Sequence, residues 1–273
     1  MIVIKIAAAV VGLIVAYFIG KRIARNLRRK KLLAAALPDE YARIIGRNVP
    51  LYARLPDSLK RQLGGLVSVF LAEKHFEGCG GLKITDEIKV TIAAQACVLL
   101  LNRKTKYFPR LGTILVYPNT YVAKTVSSEG PLVVEERSVR LGESWQRGPV
   151  VLAWDSVTGG TSNAPDAQNV VIHEFAHQLD QEDGDADGAP ILEHHSRYKA
   201  WAQVLSAEYE ALQKRKETRS RSVLDKYGAT DPAEFFAVAT ETFFEKPGQM
   251  RKNHPELYEE LKDYYKLDPA EWA

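Results

Sequence analysis

The chain has 273 residues, 46% hydrophobic and 26% charged, an ordinary globular composition with enough apolar material for one sizeable core. Its only two cysteines, Cys79 and Cys97, exclude a disulfide scaffold and point to a reducing compartment. The net charge of +3 is local: residues 1–31 hold eight of the 37 Lys and Arg and none of the 34 Asp and Glu, so 29 basic face 34 acidic residues in the remainder, which excludes a nucleic-acid-binding body.

Ile2 to Gly20 is apolar except for Lys5. At 1.5 Å per residue such a helix just reaches across a bilayer core of ~30 Å. Lys21, Arg22, Arg25, Arg28, Arg29, Lys30 and Lys31 follow, and flanking positive charge favours the cytoplasmic side. The expectation is a transmembrane helix with a basic juxtamembrane segment over 1–31, single-pass in the inner, cytoplasmic membrane, with the catalytic domain facing the cytosol. A cleaved secretory signal would carry its main positive charge before the apolar run and a small-residue cleavage site after it, and this stretch has neither.

Residues 32–56 read as a connector and lead-in, punctuated by Pro38, Pro50 and Pro56. Leu59, Leu63, Leu66, Val67, Phe70 and Leu71 have helical spacing within 57–76. Gly78 to Gly81 breaks that helix. Thr85 then fits an N-cap, with Asp86 and Glu87 in the first turn of a helix running through Leu101. This helix is apolar almost all round, so it should be buried. Thr113 to Tyr117, Leu132 to Glu135 and Val150 to Trp154 are β-branched or aromatic runs and read as strands. Helices are expected at 166–182, 193–215, 232–245 and 255–264. Helices, short strands, then helices make an α+β domain over 57–273.

The chemistry lies in His173-Glu174-Phe175-Ala176-His177. Histidines four apart leave one helix face on successive turns, so both imidazoles can reach one ion, and imidazole nitrogen suits zinc. Glu174 then stands beside the same cleft, placed to take a proton from an attacking water. A catalytic zinc site has three protein ligands and one open position. The metzincin spacing is excluded, because Asp180 and Asp183 occupy the places where it needs a glycine and a histidine. Glu234 is the candidate third ligand, although Asp231 and Pro232 before it also suit a helix start at which Glu234 closes a capping box. Glu241, seven residues on and on the same face, is the runner-up.

Secondary features have bland alternatives beside them. Val150 to Trp154 is either a substrate-pairing edge strand or an ordinary sheet strand. Asp180 either orients a zinc histidine or faces solvent. Asp183 to Gly188 begins like a calcium loop, but His194 stands where a bidentate glutamate is required, so it reads as an acidic turn. Lys214 to Arg221 reads as a solvated basic run.

Two segments together, His173 to Asp180 and Tyr227 to Ala237, resemble the Mlc titration factor A family of zinc peptidases and, for the same pairing, the catalytic domain of anthrax lethal factor. Ser144-Trp145-Gln146, Gly148 to Trp154, Tyr117-Pro118, the turn at Asp183 to Pro190 and Glu241 to Phe244 extend the resemblance, which covers roughly Leu37 to the C-terminus. It implies a zincin-like domain built on the HExxH helix and a small mixed sheet. It also implies a gluzincin site, with one zinc ion on His173, His177 and Glu234, Glu174 as general base, and Tyr227 donating to the developing oxyanion. A peptide or protein substrate, aminopeptidase-like activity, a transcriptional repressor as partner and a link to sugar uptake are implied likewise. A non-enzymatic zinc-stabilised module that sequesters a regulator is the alternative, and a hydrolase of small amides would use the same residues.

Overall fold

The computed structural model describes every residue except 1, 105, 120, 130, 131, 141, 145–147, 163–168 and 273, and the backbone alone of 2–4, 6–9, 121–129, 132–140, 142–144 and 160–162. The expected helix start at 166 and the Trp145-Gln146 pair lie outside the described residues.

The first half is a helical layer. Helix α1 (Ile2–Ala34) is followed by α2 (Asp39–Asn48), α3 (Pro50–Arg54) and α4 (Asp57–Glu73), so the segment read as a connector holds two short helices, each opening beside a proline. Strand β1 (His75–Gly78) leads to α5 (Asp86–Val98). Thr85 caps α5 by accepting from the Ile88 amide at 3.3 Å, and nearly every side chain of this helix is buried, as its all-round apolarity requires.

Strands follow. β2 (Thr113–Tyr117) pairs in parallel with β1 on one side and with β6 (Val150–Ala153) on the other. Between β2 and β6 in sequence come β3 (Tyr121–Glu129) and β4 (Leu132–Arg140), an antiparallel hairpin, and β5 (Gly142–Ser144), which lies antiparallel along β6. All four β6 residues are buried, so this strand belongs to the core.

The last half is helical again: α6 (Trp154–Ser162), α7 (Val170–Asp180), α8 (Tyr198–Glu217), α9 (Pro232–Glu245), α10 (Pro247–Asn253) and α11 (Pro255–Tyr265). Helix α7 sits between sheet and helices. Phe175 on its inner face meets Phe70 and Phe108 at ring-centroid distances of 5.6 and 4.9 Å. Burying three aromatic rings in tilted and edge-to-face contacts fixes the helix against the first layer. The histidines on its other face are thereby held toward α9.

Two expectations are corrected. The first is the α+β fold class: the chain is mostly helical, and its small sheet is three parallel strands edged by short β5, a minor layer rather than half of an α+β domain. The second is the N-terminal transmembrane helix. Among the described residues no helix is long and apolar enough to cross a membrane, which overturns the anchor, the membrane attachment and the single-pass inner-membrane localisation inferred from it. Beyond Gly20 the helix is basic and engages protein. Arg29 donates to both Glu73 carboxylate oxygens at 2.7 and 2.6 Å and lies 4.4 Å from the Tyr107 ring centroid. At Gly65 of α4 a Cβ would come within 2.8 Å of the Leu33 carbonyl, so glycine permits this close approach.

Candidate metal centre

Helix α7 begins where Asn169 accepts from the Ile172 amide at 3.0 Å. Three residues into it, His173 and His177 leave the same face one turn apart, with ring centroids 4.9 Å from each other. Their Nε2 atoms face across 3.2 Å.

Helix α9 supplies the third group. Asp231 caps it by accepting from the Glu234 amide at 2.9 Å, and Pro232 opens it. The Glu234 carboxylate extends toward the histidines: Oε2 lies 3.0 Å from His173 Nε2 and 3.5 Å from His177 Nε2. The Oε2 atom is buried and within ion-pair distance of both nitrogens, yet in hydrogen-bond alignment with neither.

These separations bear on whether an ion fits. Four donors at ~2.0–2.1 Å in a tetrahedron stand about 3.3 Å from one another. The three donor atoms here are 3.0, 3.2 and 3.5 Å apart. Two neutral imidazoles and a carboxylate are also the donor types zinc accepts, and these three residues are the metal-competent group among the described residues.

The electrostatics favour positive charge between them. Burial alone lowers the proton affinity of His173, but Glu241, Glu234 and Glu174 together raise its pKa well above the ordinary value. For Glu234, burial raises the pKa and the two histidines more than reverse that, holding the carboxyl far below the usual range. A pocket that binds a proton this tightly also attracts a metal cation, which competes for the same nitrogens.

Around the three donors stand three further groups. Glu174 is buried, and its charge raises the proton affinity of both His173 and Tyr227. Tyr227 lies on a 3-10 turn capped by Asp225, and its hydroxyl donates to Glu234 Oε1 at 3.3 Å. The residue is 55% exposed, so its ring forms an open wall of the site. Burial of the hydroxyl and the Glu234 charge push its pKa up to about 12, keeping the phenol a donor at neutral pH.

Glu241 is not among the three converging groups. Its Oε1 lies 2.6 Å from His173 Nδ1, and its Oε2 accepts the Asn169 amide at 3.0 Å. A carboxylate on Nδ1 fixes the tautomer that leaves Nε2 free to bind a cation. Asp180, weighed as such an orienting group, is instead buried against the Gly188 amide at 3.0 Å. Val150–Ala153 is not an edge strand, because β5 covers it. Sequence reasoning missed Asn169 and the outer role of Glu241, although the i+7 spacing from Glu234 had placed Glu241 on the correct face.

The model of the family described as glucose-regulated metallo-peptidase M90 matches residues 24–266. An uncharacterized protein of Synechocystis sp. is 42% identical over 258 residues, 94% of each chain. Mlc titration factor A of Klebsiella pneumoniae is 32% identical over 229 residues, 82% of this chain and 84% of that protein. Mlc titration factor A of Cronobacter sakazakii is 32% identical over 241 residues, 86% and 88% of the two.

Proposed function

The chain belongs to the glucose-regulated metallo-peptidase M90 family, and on that premise we propose that it is a zinc-dependent peptidase whose working residues lie in a domain spanning 57–273. His173, His177 and Glu234 hold one zinc ion, which when bound supplies Lewis acidity at the open position. The observation that carries this reading is the spacing of the three donor atoms, 3.0, 3.2 and 3.5 Å.

Glu174 is the general base. It takes a proton from the water that attacks the peptide carbonyl carbon and delivers it to the departing amine nitrogen as the C–N bond breaks. Tyr227 donates its hydroxyl hydrogen bond to the carbonyl oxygen as negative charge develops there. Glu241 holds His173 in the tautomer with Nε2 free. The aminopeptidase-like activity implied by the resemblance makes peptides with a free N-terminus the first substrates to try.

The relatives' name, Mlc titration factor A, favours a second ligand beside the substrate: a regulator of the Mlc kind, bound rather than cleaved. The two readings separate on Glu174. Turnover of N-terminal peptide amides by the zinc-loaded wild type, reduced about 10²–10⁴-fold in Glu174→Gln at unchanged zinc content, supports the peptidase. Equal turnover in both proteins would contradict the role of Glu174. Zinc without turnover in either, together with retained binding of the regulator, would favour sequestration.

A further inference from the structure

Beside Asn169, the residue that caps α7, residues of the first helical layer, of α7 and of α9 line a small cavity of about 10 Å³. Its polar lining is Gln95 of α5, Asn169 and Glu245, and its apolar lining includes Val49, Leu51 and Ile172. That volume is close to what one water molecule needs. Gln95 is 2% exposed, and neither its Nε2 nor its Oε1 has a hydrogen-bond partner. A buried amide with both donor and acceptor unsatisfied is uncommon, because the desolvation of each atom goes uncompensated.

We propose that this cavity is a binding site for a single internal water held between Gln95 and Glu245, and that Gln95 is a positioning residue for His173. The connection is continuous. Glu245 Oε1 accepts from Asn169 Nδ2 at 3.1 Å. The Asn169 amide donates to Glu241 Oε2 at 3.0 Å, and Glu241 Oε1 meets His173 Nδ1 at 2.6 Å. Asn169 Oδ1 is already engaged by the Ile172 amide, so every polar group of this residue is fixed by the network. A water bridging Gln95 to Glu245 ties α5 to the same relay and satisfies the orphaned amide. Water suits the site better than an apolar guest, which would leave Gln95 unsatisfied. The consequence for His173 rests on the proposed function, whereas the water does not.

The test is a high-resolution crystal structure of the full chain, wild type and Gln95→Met, with zinc affinity of both measured by chelator competition. Methionine keeps the length of the side chain and removes its polar atoms. The expected wild-type density shows one ordered water within hydrogen-bond distance of the Gln95 amide and a Glu245 carboxylate oxygen. In Gln95→Met that water is gone and zinc binds about tenfold more weakly, while the unfolding temperature of the zinc-free protein is not lowered. A purely structural role would move the unfolding temperature and leave affinity alone. Density without a water, or with the Gln95 amide turned to a protein partner, overturns the site even if the variant fails to fold. A water present with equal zinc affinity in both proteins overturns the positioning role. A wild type that binds no zinc overturns the proposed function and that role with it, while the density still decides the water.

Discussion

At the residue scale the centre is a contest over His173. Glu234 approaches its Nε2 at 3.0 Å and Glu241 its Nδ1 at 2.6 Å, so one imidazole carries a carboxylate on each nitrogen. The geometry makes the two glutamates unequal, since Glu234 also faces His177 while Glu241 is anchored on the Asn169 amide. Glu241→Gln should therefore weaken zinc binding by about tenfold without removing it, as loss of an orienting carboxylate does. Chelator competition reads this directly. Complete loss of zinc would make Glu241 a ligand, and no change would deny that it orients His173. The sequence carried this distinction only in part. Two histidines four apart declare a shared ion on local helix geometry, but glutamates at 234 and 241 share a face of their own helix. Which of them meets Nε2 depends on how α9 crosses α7, and that crossing is set by tertiary packing.

At the element scale the donors are brought together by a joint between α7 and α9. Asp180, at the end of α7, accepts the Gly188 amide at 3.0 Å, and Trp201 of α8 donates to the Gly188 carbonyl at 3.1 Å. Gly188 has φ of +77°, and a Cβ there would stand 2.4 Å from the carbonyl oxygen of Pro232, the first residue of α9. Glycine lets the turn after the HExxH helix touch the start of the helix bearing Glu234. Gly188→Ala should destabilise the protein by more than ~1 kcal/mol, from the left-handed backbone and the close contact together. Urea unfolding measures it, and an unchanged midpoint at unchanged slope would refute the joint. Elements with local punctuation were legible: α9 spans Pro232–Glu245 as Asp231 and Pro232 announce, and α5 starts at its Thr85 cap. Strand β1 was missed, because His75–Gly78 has neither alternation nor β-branched residues and is strand only through its pairing with β2. Strand β3 was also missed, although its Val122, Thr125 and Val126 are β-branched.

At the scale of the whole molecule, the centre links α7 and α9, one packed on the sheet side and the other among the C-terminal helices. An ion held between them binds the folded chain and not the unfolded one, so it adds to stability by mass action. Zinc at a hundredfold above its dissociation constant stabilises by about 2.7 kcal/mol, which for a chain near this length shifts the unfolding temperature by roughly 5–10 °C. Chelation should lower the transition by that amount, and added zinc should restore it. An unmoved transition would mean that no ion bridges the helices. The N-terminal helix shows the opposite limit of sequence reading. Its apolar run suggested a span, while its contacts with Glu73 and Tyr107, invisible to hydropathy, fix its basic part on the protein. The measurement that reaches the central claim most directly is the zinc X-ray absorption spectrum of the purified chain, beside its metal content. The account predicts one zinc per chain, with two imidazole nitrogens and oxygen donors at about 2.0–2.1 Å. Absence of zinc after metal-replete refolding, or a sulfur-dominated shell, would contradict it.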